Sequence, residues 1–425
     1  MVELESNVDR LQAATGTHWP MLRQARNAAT EIRSKLEEGL GDKTDDDASL
    51  VVFGSLARGE WTRKSDIDWT LLLDGQTYPE QFDTAEEIRS WIKQYYPGPG
   101  REGTFGGLSF SHELVHRIGG KDDTNANLTQ RMLLLLESIP IGSGEAHQRV
   151  LRALLERYIT EDFGWVVSTN PSYVPRFLLN DIARYWRTVA VDFAYKRRDR
   201  GGEGWALRTV KLRLSRKLTY AAGLVACFRC SLLPDQYSGF KDFSHEERSR
   251  IALTELQEFL RTTPLEMLAW AYLHFETLTE AATDVFGSYN EFLALLDGEE
   301  RAQLSELKHE AAAGNKTFER ARELGHLFQK GLNALFLEPQ QGFFDLTRTS
   351  ECSSAGRNRI FYRCPGRPRR GDRVGVAARE SDGRRRALRA SASGTRSAGR
   401  TGEGTRSRRL PVHLRSCARE NPSCG

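Results

Sequence analysis

Two aspartates, Asp66 and Asp68, close the stretch "GSLARGEWTRKSDID", which opens on the small pair Gly54 and Ser55. On an extended strand, residues two apart point to the same side, so the two carboxylates would face one way. Like charges held together are costly unless a cation sits between them. Mg²⁺ takes oxygen ligands of this kind and bridges nucleotide phosphates. Gly54 and Ser55 end an apolar run, and "LARGE" suits the start of a short helix. Small residues there let backbone N–H groups approach a phosphate, and the helix dipole favours its charge. The competing reading is a hairpin with solvated acids. A lone Asp-x-Asp is common and a lone Gly-Ser commoner. The ordered set of strand, Gly-Ser, short helix, ten-residue spacer, Asp-apolar-Asp and apolar strand is much rarer.

The elements that must position these residues follow from hydrophobic period. Residues 6–38 recur at near-helical spacing through Val8, Leu11, Leu22, Ala25, Ile32 and Leu36, with a break near Gly16. "SLVVFGS" and "DIDWTLLL" are short β-branched and apolar runs separated by a turn. "TAEEIRSWIKQYY" suits a helix packed on a sheet, and "LSFSHELVHRI" alternates well enough for a third strand. From there the three- and four-residue spacing is helical nearly throughout, punctuated by Pro140, Pro171, Pro175, Gly201, Gly202, Gly204 and Pro264. The expected architecture is α/β followed by all-α: a mixed-sheet catalytic domain with an N-terminal helix over 1–140, a helical domain over 141–340, and a disordered basic tail over 341–425.

Composition sharpens the division. The chain has 425 residues and a net charge of +4, and Lys330 is its last lysine. Residues 346–425 hold 20 arginines and 6 acids, so they carry +14 and the rest of the chain −10. This Arg, Gly, Ser and Ala segment has no usable period and too little apolar surface to offset its ordering entropy. Arginine-rich disorder can bind RNA, but nucleic acid is not the favoured partner. Abrupt loss of both lysine and helical period is what translation in a shifted frame would produce. "CFRC", Cys227 to Cys230, lies inside a helical pattern with no second pair at zinc-finger spacing, so core or surface thiols are expected. No amino-terminal signal and no apolar run of membrane-spanning length is legible, which points to a cytoplasmic location without membrane contact.

The segment "GSLARGEWTRKSDIDWTLLL" resembles the signature of the polymerase-β-like nucleotidyltransferase superfamily, and its "RGE…SDID" wording is similar to the protein-modifying, PII-type uridylyltransferase and adenylyltransferase branch. "ELVHRIG", "NLTQRMLLLLESIPIGS" and "FLLNDIARYW" resemble later segments of that branch, so the likeness covers about Val51 to Trp186; the branch's "GGLRD" wording is absent. The resemblance implies transfer of a nucleoside monophosphate from an NTP to an acceptor hydroxyl, a protein side chain being one such acceptor, with release of pyrophosphate. It implies two Mg²⁺ ions on Asp66, Asp68 and a third carboxylate. Glu113 is the choice for that third acid, with Asp122 and Asp123 as competitors whose turn context favours solvation or capping. His112 and His116 flank Glu113 at a spacing that suits metal only on a helix, and structural roles are favoured for them. Gly54, Ser55 and Arg58 would grip phosphate, Arg58 alternatively pairing with Glu60. In "LRTVKLRLSRKLTY", Arg208, Lys211 and Ser215 share a helix side and Arg213, Arg216 and Lys217 project nearby; Lys211 and Arg213 are the candidates to meet the triphosphate. A solvated face is the commoner meaning of such a run. Transfer to a small molecule or RNA end, second-messenger synthesis, and a degenerate nucleotide-binding module without activity are the alternatives.

Overall fold

The computed structural model describes residues 6–98, 105–162, 173–199 and 201–347. Two helices come first, α1 (Asn7–Thr15) and α2 (Pro20–Leu40). The break between them begins at Gly16, whose φ of +62° ends α1 in the left-handed region. Then come β1 (Ala48–Phe53), α3 (Gly54–Ala57), β2 (Asp68–Leu73), α4 (Glu80–Tyr95), β3 (Gly107–Phe110), α5 (Ser111–Val115), α6 (Asn125–Leu136), β4 (Ser138–Ile141) and α7 (Glu145–Thr160). The sheet order is β3-β2-β1-β4. β1 runs antiparallel to both neighbours, while β2 and β3 are parallel.

Every residue of β1 is buried, because both faces of the sheet are covered. Ala48, Leu50 and Val52 face a core built with Ala29, Ile32 and Leu36 of α2 and with Ala85, Ile88 and Ile92 of α4. The alternate residues face α7. There Ser49 Oγ donates to the Ser143 carbonyl at 2.8 Å and accepts from the His147 N–H at 3.2 Å. Two local readings needed more than period. "LSFSHELVHRI" is strand only to Phe110, after which its imperfect alternation turns into α5. "SIPI" is a fourth strand despite Pro140, which is tolerated because β4 is an edge.

The remaining elements are helices: α8 (Arg176–Asp199), α9 (Trp205–Arg213), α10 (Ser215–Arg229), α11 (Leu233–Gln236), α12 (His245–Leu260), α13 (Pro264–His274), α14 (Thr279–Asp297), α15 (Glu300–Glu306) and α16 (Lys316–Phe336). α10 is buried nearly all round, as its lack of a polar face requires. Cys227 on it and Cys230, which caps its C-terminus, are buried free thiols, and burial pushes the Cys230 thiol up to about 12. Protonated core thiols of this kind are inert. The N-terminal helices return to the helical half. Trp19 stacks on Phe286 at 5.0 Å, and Asn290 Oδ1 of α14 accepts from the Met21 N–H at 2.9 Å, capping α2 from outside its own sequence. The described residues all lie within one compact unit, Met1–Tyr362; the Arg-rich segment from residue 348 lies outside them. Among the described residues no helix is long and apolar enough to cross a membrane.

α6, α7 and α8 are tied by one buried cation. Arg131 donates through Nη1 and Nη2 to the two oxygens of Asp123, each at 3.1 Å, through Nη2 to Asp181 at 2.8 Å, and through Nε to the Tyr158 hydroxyl at 2.7 Å. Removing one member of such a cluster leaves a buried charge uncompensated. Arg131→Met is expected to cost about 3–5 kcal/mol in urea denaturation. His147 gives a second handle. Ser138 Oγ donates to the Leu134 carbonyl at 2.6 Å, so at the 2.8 Å Ser138–His147 contact the ring Nε2 must be the donor. Burial, with Arg261 nearby, lowers this imidazole to about 4. Above pH 6.5 the ring is neutral folded and unfolded. As pH falls from about 6.5 to about 4 only the unfolded chain takes the proton, so stability is lost across that window, about 3 kcal/mol in all. His147→Gln is expected to flatten that part of the denaturation midpoint against pH.

Candidate nucleotidyl-transfer site

The β1–α3–β2 segment folds around two anchors. Ile67 is fully buried in the sheet core, which turns the residues on either side of it, Asp66 and Asp68, the other way. Asp68 opens β2 opposite Phe53, the last residue of β1. Gly54 follows with φ +67°, and a Cβ there would sit 3.1 Å from Asp68 Oδ2. Only a residue without a side chain gives both the turn and this approach. The spacer is shaped by a Thr62–Ser65 turn, in which the Thr62 N–H donates to Ser65 Oγ at 3.1 Å. α3 is a single turn, so its dipole adds little; any grip on phosphate there falls to backbone N–H groups and the Ser55 hydroxyl.

Gly54, Ser55, Arg58, Asp66 and Asp68 line one pocket of about 60 Å³, and the helical half closes it with Lys211, Ser215, Arg216 and Arg301. Phe292, Leu293 and Leu296 of α14 form its apolar wall. Beside it stands Glu137, buried between α6 and β4. It accepts from Arg58 Nη1 at 2.7 Å, Arg216 Nη1 at 3.1 Å and Thr219 Oγ1 at 2.7 Å. Burial works to raise the Glu137 carboxyl, but the two guanidiniums outweigh it and the net shift is downward. Arg58 also reaches Glu60, donating from Nε at 2.9 Å. Arg58 thus pairs with two acids while lining the pocket wall.

Charge in the pocket is unevenly satisfied. Burial, then the neighbouring Asp66, raises the Asp68 carboxyl to about 6. Burial lowers the Lys211 ammonium to about 8, with Asp66 opposing and Arg301 and Arg216 adding to the fall. Two carboxylates in this condition suit a hard divalent cation. Mg²⁺ in particular is commonly held by one or two carboxylates plus substrate phosphates. Among the described residues no group of three or more His, Cys, Asp and Glu side chains is arranged to hold a metal.

Four expected candidates are elsewhere. β3 runs parallel to β2 with Phe110 beside Leu73, so Glu113, just past Phe110, lies beyond the opposite end of β2 from Asp68. There it is half-exposed and pairs with Arg117 at 3.2 Å. Asp123 is taken by Arg131 and by Arg184, the latter at 2.7 Å; Asp122 is exposed and absent from the pocket lining. Arg213 packs along Gly325 of α16 instead of entering the pocket. The continuous helix expected through this basic run breaks at Leu214, with φ −115° and ψ −82°. The break re-aims the start of α10, so Arg216 takes the position beside Lys211. His112 on α5 and His116, which caps it, remain a ring pair, centroids 5.1 Å apart. Arg301 and Glu137 were missed. Arg301 has no local pattern to mark it. Glu137 had one, a lone acid ending the run "MLLLLE", where burial demands a partner.

Gly54→Ala forces a side chain into a left-handed backbone position against Asp68 Oδ2. A loss of about 1–2 kcal/mol in thermal or urea denaturation is expected.

Residues 33–97 match the family described as nucleotidyltransferase domain. No curated protein and no solved structure matches the chain. The matched span runs from within α2 to just past α4 and contains Gly54, Ser55, Arg58, Asp66 and Asp68. This match supports a place for the chain in the polymerase-β-like nucleotidyltransferase superfamily through the segment that builds the acidic half of the pocket.

Proposed function

We propose that the chain is a Mg²⁺-dependent nucleotidyltransferase that moves a nucleoside monophosphate from an NTP to an acceptor hydroxyl. The observation that carries this reading is the convergence of Asp66 and Asp68, the Gly54–Ser55 turn, and the cations Lys211, Arg216 and Arg301 on one pocket. Asp66 and Asp68 would hold the metal, which when bound neutralises triphosphate charge and favours the ionised acceptor oxygen. Gly54 and Ser55 would fix the phosphates in line with the attacking oxygen. Lys211 and Arg301 would stabilise the charge that builds on the departing pyrophosphate. Arg216, held by Glu137, would orient the same group from the α10 side.

The finer likeness, to the PII-type branch, rests on the "RGE…SDID" wording and on segments that form α5, α6, β4 and α8. Within them Arg131 and Asp181 bind each other in the core. The likeness therefore supports a common scaffold and leaves the acceptor to be inferred from the cavity beside the pocket. A second reading, a nucleotide-binding module without transfer, draws on the position of Glu113 away from Asp68.

One experiment separates the two. The full chain is incubated with each of the four α-labelled NTPs, Mg²⁺ and a cell extract, and pyrophosphate and transferred label are followed. Release of pyrophosphate with label on an acceptor is expected, and Asp68→Asn should reduce it by ~10²-fold or more. NTP binding without any pyrophosphate would instead establish the module.

A further inference from the structure

A second cavity, of about 730 Å³, opens beside the acidic pocket, and Lys211 and Arg216 line both. The second cavity falls within the roughly 300–1,000 Å³ typical of small-molecule sites. α6 contributes Thr129 and Leu133, α8 contributes Arg184, Tyr185 and Arg187, and α9 contributes Arg208 and Leu212. Its charge is one-sided. Arg184, Arg187, Lys196, Arg208, Lys211 and Arg216 face it with Asp192 as the opposing acid.

Several of these cations are engaged already. Arg184 pairs with Asp123, Lys196 with Asp192 and Arg216 with Glu137, and Arg208 donates to the Glu203 carbonyl. Arg187 and Lys211 have no carboxylate within ion-pair distance among the described residues. One is exposed on the far wall and the other stands at the junction with the acidic pocket. The Tyr185 hydroxyl, also on the lining, is buried beside the Arg216 guanidinium.

We propose that this cavity is the acceptor site and takes a small molecule bearing a phosphate or carboxylate group together with a free hydroxyl. The inference rests on the nucleotidyl-transfer reading of the adjoining pocket. The anionic group lies toward Arg187, and the hydroxyl reaches the Lys211 junction. There the acceptor oxygen forms a bond to the α-phosphorus of the NTP, and the bond from that phosphorus to the bridging oxygen breaks. Pyrophosphate leaves with the electron pair, and the hydroxyl proton passes to solvent. A metabolite-sized volume favours a small molecule over a polymer, whose contacts would run along an extended track.

The test is calorimetric titration of the full chain with glucose 6-phosphate, gluconate and glucose, the first two separating phosphate from carboxylate as the recognised group. At least one anion is expected to bind saturably and glucose not at all. Arg187→Glu should weaken the anion by about ten-fold or more, while Asp68→Asn leaves it bound. Binding of glucose equal to the anions, no binding of either anion, indifference to Arg187→Glu, or loss of anion binding in a folded Asp68→Asn chain would each overturn the proposal. So would a ten-nucleotide RNA that binds where both small anions fail. Anion binding at the cavity without pyrophosphate release from any NTP would leave the cavity standing and remove the transfer reading, so the two failures are distinguishable.

Discussion

The site depends on a carboxylate sealed almost completely from solvent. Glu137 gathers Arg58 from the turn after α3 with Arg216 and Thr219 from α10. A carboxylate placed at the end of a leucine run and buried would be prohibitively costly alone. Two guanidiniums and a hydroxyl satisfy its lone pairs, and in doing so they fix the local geometry. Because Arg58 also spans to Glu60, the sheet half and the helical half meet through a chain of charge-assisted hydrogen bonds that a lysine, with a single point of charge, could not make. The position of Arg216 in the pocket follows from this contact.

With Glu60 and Glu137 set against Arg58 and Arg216, the charges that remain on the pocket wall are Asp66 and Asp68 on one side and Lys211 and Arg301 on the other. Burial pushes Asp68 and Lys211 each toward its neutral form. Neither offsets this by pairing with the other, because among the described residues no ion pair joins them. A cation between the aspartates and a polyanion against Lys211 and Arg301 would relieve both at once. The arrangement is thus better matched to a metal–polyphosphate than to either component alone, which is the electrostatic content of the proposed activity.

How much of this could be read beforehand depended on the distance over which each relation acts. The Gly54, Ser55, Asp66 and Asp68 set was legible because one turn and two short strands place it, and strand period fixes which way the acids face. The α/β-then-α order was legible from the change of hydrophobic period. Glu113 was not placeable. Period finds β3 but not its direction, and a parallel β3 carries its C-terminal end away from Asp68. Arg216 lines the pocket and Arg213 does not, because the helix breaks at Leu214, a fully buried residue with neither Gly nor Pro beside it to announce the break. Arg301 is brought in by α15 from far along the chain, a tertiary relation without a local trace.

The same break in the helix also explains why two cavities share a wall. An unbroken helix through 205–229 would keep Ser215 on the side of Lys211 but, at about 100° per residue, would turn Arg216 roughly 140° away from it. With the turn at Leu214, Lys211 ends one helix and Ser215 and Arg216 begin the next, and all three line the acidic pocket. Lys211 and Arg216 face the larger cavity as well. A divider made of two long cations can accept phosphate on one side and an anion-bearing acceptor on the other without moving its backbone. Of this pair Glu137 restrains Arg216 alone, so in the proposed transfer Lys211 is the member left to follow the phosphate.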